Sequence, residues 1–319
     1  MDGYADVGDA QPSASERWRS PAFRDELRRW VAGVVGEPVS LDPVKVRPWA
    51  TVWRAETDSG VFYAKQNCAG QAFEAALVVA LNDLAARHVV PLAGVDLGRG
   101  LFLTPDQGEP LGDGTVEDWC RVAAAGAHLQ LEVARYADRL VAAGLTVLAP
   151  ADCPAYLARR LGELELPEPM PATRDDVRRW ADEVGALGLP LTLCHNDLHG
   201  HNVFDRDGEL RFFDFADALV TEPLAALLVP LDVLRHQLDC APDDPRLRRV
   251  ADAALEVWTD YAPATELRGV LPAALQLARL AKVESWIRCS APMTDAERAQ
   301  WGGAPEAWLA TLGERPPGA

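Results

Sequence analysis

Residues 191–217, LTLCHNDLHGHNVFDRDGELRFFDFAD, constrain the fold more than any other stretch, because they set polar side chains at fixed places between short apolar runs. Leu191, Leu193 and Cys194 lead into His195, Asn196, Asp197 and Leu198, and Asn202 follows five residues after Asp197. Val203 and Phe204, a DRDG turn at 205–208 and an apolar run at 210–213 read as a β-hairpin that ends on Asp214. A hairpin folds the chain back on itself, so Asn202 at its entrance and Asp214 at its exit stand side by side. Two such oxygen donors chelate magnesium, with phosphate oxygens completing the shell. Asp197 then lies one strand width away, placed to accept the proton of an attacking hydroxyl.

The order H-x-D-L-x-x-x-N followed by D-F-x-D resembles the aminoglycoside phosphotransferase and choline kinase families. That resemblance implies an α+β, two-lobed protein-kinase-like fold, with an N-terminal antiparallel sheet lobe and a larger helical C-terminal lobe. It implies Mg2+ held by Asn202 and Asp214, ATP or GTP as phosphate donor, and Asp197 as the catalytic base. The same stretch supports a second reading. His195, His199 and His201 lie two and four residues apart, a spacing at which imidazoles share a zinc ion. The roles of His199 and His201 stay open between these readings. Asp217 either adds charge near the metals or is a solvent-facing carboxylate.

Lys65 ends the run VFYAK, and the chain has only two other lysines, Lys45 and Lys282, against 28 arginines. A strand-borne ammonium inside such a pocket reaches the α- and β-phosphates as a compact point charge. Glu74, nine residues on, is its expected clamp, on a helix over 71–88 that buries Phe73, Leu77, Ala80, Leu81 and Leu84. The segment RPWATVWR at 47–54 occupies the place of the nucleotide-covering loop of this fold, yet contains no glycine. Its Val52, Trp53 and Arg54 are similar to the V-[YW]-R of aminoglycoside phosphotransferases. The backbone of Ala50 and Thr51 and the Thr51 hydroxyl are then expected on the phosphates, with an ordinary edge turn as the alternative. LFLTPDQGEPL, at 101–111, resembles the connector between lobes, where backbone groups near Leu103 and Pro105 would hold adenine. Pro105 has no N–H to give.

Ser20 and Pro21 start an amphipathic helix that runs to Gly36. Strands are expected at 40–47, 51–57, 61–66, 94–97 and 101–104. Beyond the capping signal of Thr115 and Asp118 the pattern is helical, with helices at 152–162, 173–187, 222–239, 245–261 and 264–290 and an LPEPMP linker at 166–171. Residues 1–19 read as a mobile tail, 20–105 as the nucleotide-binding lobe and 106–319 as the helical lobe with the acceptor site. Where the family often has D-P-x-x-D-L after the metal aspartate, this chain has Glu222, Pro223, Leu224, Ala225, Ala226 and Leu227.

A net charge of −17 argues against a nucleic-acid partner and would draw in a cationic ligand. Six cysteines without a C-x-x-C pair read as reduced thiols of a cytoplasmic protein. Apolar runs all break before the roughly 20 residues that span a bilayer, so no membrane partner is expected. The function that follows is O-phosphorylation of a small-molecule hydroxyl, with an aminoglycoside-like or other antibiotic, cationic acceptors among them, as the leading acceptor class. A metabolic kinase for choline, amino sugar, nucleoside or homoserine-type acceptors is one alternative. A catalytically inactive kinase-fold binding protein is the other.

Overall fold

The computed structural model describes residues 13–164 and 172–318. Of the expected mobile tail, residues 1–12 lie outside the described residues, but 13–19 are no tail. Ser13 and Glu16 form a capping box on helix α1 (Ala14–Trp18). Trp18 is buried, its indole N–H donating to Gln66 Oε1 at 2.8 Å. One large indole with a partner for its N–H anchors a segment that has no apolar periodicity. Ser20 caps α2 (Pro21–Val35) by accepting the Phe23 N–H, and Phe23, Leu27 and Val31 bury one face at a spacing of four.

Strands β1 (Ser40–Val46), β2 (Ala50–Thr57) and β3 (Gly60–Asn67), then helix α3 (Glu74–Leu84), then β4 (Gly94–Asp96) and β5 (Leu101–Pro105), build one antiparallel sheet in the order β1-β2-β3-β5-β4. Helix α3 is shorter than the apolar periodicity suggested. Tight 3-10 turns at Ala69–Gln71 and Ala86–His88 take up its ends.

The remainder is mostly helical: α4 (Val116–Ala134), α5 (Ala137–Ala142), α6 (Cys153–Leu161) and α7 (Arg174–Gly185). Four short strands follow, β6 (Thr192–Cys194), β7 (Val203–Arg206), β8 (Glu209–Phe212) and β9 (Leu219–Thr221). β7 and β8 form the expected hairpin, closed by Asp207 and Gly208 with φ of 56° and 90°. A two-residue turn with both residues left-handed matches the twist of the strands it joins. β6 pairs with β9, a contact between segments too short to show any alternation. Helices α8 (Leu228–Gln237), α9 (Pro245–Leu255), α10 (Ala264–Ser290), α11 (Asp295–Trp301) and α12 (Ala304–Ala310) complete the chain. Sequence periodicity located neither α5 nor the last two. The expected linker at 166–171 lies outside the described residues.

Two apolar clusters hold the molecule together. The smaller, with Trp18, Phe23, Leu27, Leu41 and Trp53, lies between α2 and the sheet. The larger runs from α3 through the whole helical lobe. β5 serves both, because alternate side chains point to opposite faces: Leu101 and Leu103 join the smaller cluster and Phe102 the larger.

Glu222 is buried in the larger core, where it caps the 3-10 turn Pro223–Leu227 by accepting the Leu224 N–H at 2.7 Å. Its Oε1 finds no partner among the described residues. Burial raises its pKa to about 7. The native state therefore keeps this proton to higher pH than the unfolded chain does, and stability falls as pH rises from the ordinary carboxylate range through about 7. Glu222→Gln keeps the cap without the charge. Its unfolding free energy relative to wild type should rise by roughly 2–3 kcal/mol between about pH 5 and about pH 8. Urea unfolding of both proteins at the two pH values checks this, and an unchanged difference would refute it.

Candidate active site

His195 fixes the local geometry. It is buried, with Nε2 donating to the Phe213 carbonyl at 2.9 Å and Nδ1 accepting the Asp197 N–H at 3.4 Å. Burial holds its pKa below the ordinary value, as a neutral ring with one donor and one acceptor requires. This corrects the zinc reading. Both nitrogens of His195 are engaged by backbone, and no group of three or more His, Cys, Asp or Glu among the described residues could hold a metal ion. His199 and His201 pack edge to face, their ring centres 5.9 Å apart.

Asn196 and Asp214 adopt left-handed φ of 62° and 63°, uncommon for non-glycine residues, and each is held by side-chain contacts. Asn196 Nδ2 donates to the Ala281 carbonyl at 3.0 Å. Asp214 Oδ1 lies 2.6 Å from Lys65 Nζ, which also meets Glu74 Oε2 at 2.7 Å. Lys65 is 2% exposed and Glu74 fully buried. Burial works against the Lys65 charge, but the carboxylates of Asp214 and Glu74 outweigh it and raise its pKa. For Asp214, burial opposes ionisation and the Lys65 ammonium prevails, lowering its pKa. For Glu74, burial prevails and raises it. Glu74 Oε1 accepts the Phe215 N–H at 2.7 Å, so one carboxylate ties α3 to both β3 and the turn after β8.

At the hairpin entrance, Asn202 Nδ2 donates to the Asp197 carbonyl at 2.9 Å, and the Asn202 carbonyl accepts the Phe213 N–H at 3.0 Å. With its amide nitrogen engaged on the loop, the Asn202 side-chain oxygen remains as a hard donor lining the same cleft as Asp214. That donor set suits magnesium. Asp197 has a carboxylate 36% exposed to the cleft, with Oδ2 3.5 Å from His199 Nε2 and Oδ1 3.1 Å from Lys282 Nζ.

Asp197, Asn202, Asp214 and Lys282 face one cleft of about 580 Å³ between the sheet and the helical lobe. Two expectations for its walls are corrected. Ala50 and Val52 line the cleft, so Thr51, one residue out of phase, points away. Its hydroxyl donates to the Lys45 carbonyl at 3.2 Å and accepts the Trp53 indole N–H at 2.9 Å, out of reach of a phosphate. Leu103 is buried in the smaller core and its carbonyl accepts the Ala93 N–H at 2.8 Å. Residues 104–110 line the cleft in its place. This connector is strapped to the loop of residues 195–203 by Leu111 N–H to Val203 O at 2.8 Å and Gly112 N–H to Gly200 O at 3.1 Å.

Sequence reasoning passed over Lys282 and left Asp217 undecided. Asp217 Oδ2 lies 3.0 Å from Lys282 Nζ and its Oδ1 accepts from Gln71 Nε2 at 2.9 Å, so it is paired rather than solvent-facing. A signal was present in the lysine scarcity that singled out Lys65. Lys45 and Lys282 line the cleft, and Lys65 meets Asp214 of its lining from behind, so all three lysines of the chain lie at or beside it.

No protein-family model matches the chain, and no curated protein matches it in sequence. Solved structures do. An ethanolamine kinase from Plasmodium vivax superposes with a TM-score of 0.60 at 10% identity, over 85% of this chain and 82% of that one. A choline/ethanolamine kinase family protein from Mesorhizobium loti gives 0.56 at 20% identity, over 92% and 95%. Aminoglycoside phosphotransferase APH(4)-Ia gives 0.50 at 13% identity, over 89% and 98%. The chain has the protein-kinase-like fold that these proteins share.

Gly200 sits where a Cβ would run into the Gly112 carbonyl, backbone that cannot swing aside. Gly200→Ala should therefore part the connector from the loop of residues 195–203 and cost about 1–3 kcal/mol of stability. A melting temperature equal to wild type would show that the strap yields freely.

Proposed function

We propose that this chain is a small-molecule kinase, transferring the terminal phosphoryl group of ATP or GTP to a hydroxyl of its acceptor. The observation that carries the proposal is the convergence on one cleft of Asp197, Asn202 and Asp214, with Lys65 clamped by Glu74 beneath them. Four carboxylates, Asp197, Asp217, Glu74 and Asp214, face two ammonium groups, Lys65 and Lys282. Within these ion pairs the carboxylates outnumber the ammonium groups, a local negative balance that suits a divalent cation carried in with the nucleotide. Asn202 and Asp214 would hold that magnesium, which when bound neutralises charge on the phosphate oxygens.

In the proposed reaction Lys65 orients the α- and β-phosphates. The Asp197 carboxylate, which lines the cleft, hydrogen-bonds the acceptor hydroxyl and takes its proton as the oxygen attacks the terminal phosphorus. The bond to the bridging oxygen breaks and the nucleoside diphosphate leaves. Because such transition states are loose, most of the rate gain belongs to alignment rather than to base strength, and a carboxylate that stays ionised serves that role. The acceptor is either an aminoglycoside-like or other antibiotic or a choline-type metabolite. Choline and ethanolamine kinases and an aminoglycoside phosphotransferase share the fold, and both classes stand in the proposal. The pairing of Asp197 and Asp217 with Lys282 leaves fewer free carboxylates for a cationic acceptor than the net charge alone suggests.

The test is a coupled nucleotide-consumption assay against a panel drawn from both acceptor classes. No turnover with any of them, together with no binding of magnesium nucleotide, would leave a catalytically inactive scaffold. Within an active enzyme, Asp197→Asn should lower kcat by about 10²–10⁴-fold and leave nucleotide affinity within a few-fold of wild type. Near-normal turnover would remove Asp197 from the mechanism. Asp214→Ala should abolish turnover and weaken binding of magnesium nucleotide, since it removes one of two protein ligands to a doubly charged ion. Titration of nucleotide affinity against magnesium would expose a wrong assignment as an unchanged dependence.

A further inference from the structure

Lys282 lies in the middle of α10, its side chain 5% exposed, more than 60 residues from any motif of the catalytic loop. An ammonium group has three protons to donate, and here each has a partner. They go to the Asn196 carbonyl at 2.8 Å, Asp217 Oδ2 at 3.0 Å and Asp197 Oδ1 at 3.1 Å. The preceding helix residue acts on the same loop, since the Ala281 carbonyl accepts from Asn196 Nδ2 at 3.0 Å. Two consecutive residues of α10 thus hold the side chain and carbonyl of left-handed Asn196 and one oxygen of Asp197. The second oxygen, Oδ2, has His199 Nε2 at 3.5 Å and belongs to a carboxylate that is 36% exposed and lines the cleft. Asp217 extends the contact to the sheet lobe through Gln71, which sits in the turn ahead of α3. The chain Gln71, Asp217, Lys282, Asp197 crosses from one lobe to the other.

Resting on the kinase reading above, we infer that Lys282 is a positioning residue of the reaction: it turns Asp197 so that one carboxylate oxygen is fixed and the other faces the acceptor hydroxyl. Lysine suits the place, because a compact charge can sit among three oxygens on different sides, whereas a planar guanidinium cannot. The competing account is a purely structural ion pair, whose loss would harm activity only by loosening the fold.

The two accounts part in a set of variants assayed at saturating nucleotide, with melting temperatures measured alongside. Lys282→Met leaves two carboxylates uncompensated and should lower both melting temperature and kcat, the latter by about 100-fold or more, with nucleotide KM changed less than about 3-fold. Combining it with Asp217→Asn removes one stranded charge. Positioning predicts that melting temperature recovers while kcat stays low. Recovery of kcat in step with melting temperature would overturn the inference. Lys282→Arg keeps a cation beside the two carboxylates, and should still lose about 10-fold or more in kcat. Wild-type kcat in that variant, or a loss confined to nucleotide KM, would also overturn it. The kinase reading fails separately: a wild-type chain that neither binds nor turns over magnesium nucleotide removes both, whereas a wild-type-like Lys282→Met beside an inactive Asp197→Asn removes only the role of Lys282.

Discussion

The arrangement of the site depends on a buried ammonium group, that of Lys65, shared between Glu74 and Asp214. A charge withdrawn from water is tolerable only while its partners stay within contact distance, and removing one partner of such a pair typically costs about 3–5 kcal/mol. Lys65 is on β3, Glu74 on α3 and Asp214 on the turn beyond β8, so the pairing obliges three distant segments to meet. Glu74 adds the Phe215 N–H to its partners and so holds the position of the turn as well as its charge. Lys282 repeats the device on the other side of the catalytic loop, with Asp197 and Asp217.

The loop between these two ammonium groups is held in a conformation that a free chain would seldom adopt. Asn196 and Asp214 are left-handed without being glycine, and both are restrained by contacts from outside the loop, α10 for the first and β3 for the second. His195 braces the interval, with its ring bridging the backbone at both ends. Gly200 lets the connector lie directly on the loop, backbone to backbone. Each restraint comes from a different element, which is why the geometry needs the whole fold around it.

What the sequence disclosed follows from the range of the interactions involved. The hairpin between Asn202 and Asp214 was legible because turn chemistry and alternation are local signals, and the Asp207-Gly208 turn is one of the strongest. Lys65 and Glu74 were legible through spacing, since a strand followed by a helix returns the chain within nine residues. Thr51 was misjudged by a single step of register, since in a strand one step moves a side chain to the opposite face, and the Leu103 carbonyl is taken by the Ala93 N–H. Lys282 was missed because its partners are 65 and 85 residues away in sequence, and no local pattern distinguishes a buried helical lysine from a surface one. Trp18 escaped for a related reason: a single anchor makes no period.

The absence of glycine from the β1–β2 loop has a structural counterpart in Trp49. In a glycine-rich loop the backbone can close over phosphates because nothing projects from it. Here the loop carries an indole that packs edge-on against Trp286, with ring centres 5.7 Å apart, and against Trp301 at 5.2 Å. Arg47 lies over Trp301 as well. The loop that covers the cleft from the sheet lobe is therefore seated on α10 and α11 of the helical lobe. Trp286 follows Lys282 by one helical turn and lines the cleft with it, so one face of α10 supports both the catalytic loop and the covering loop. Lys282 and Trp286 thus put one face of α10 on the wall of the cleft, beside Asp197. Both contacts come from a part of the chain where no motif announces them.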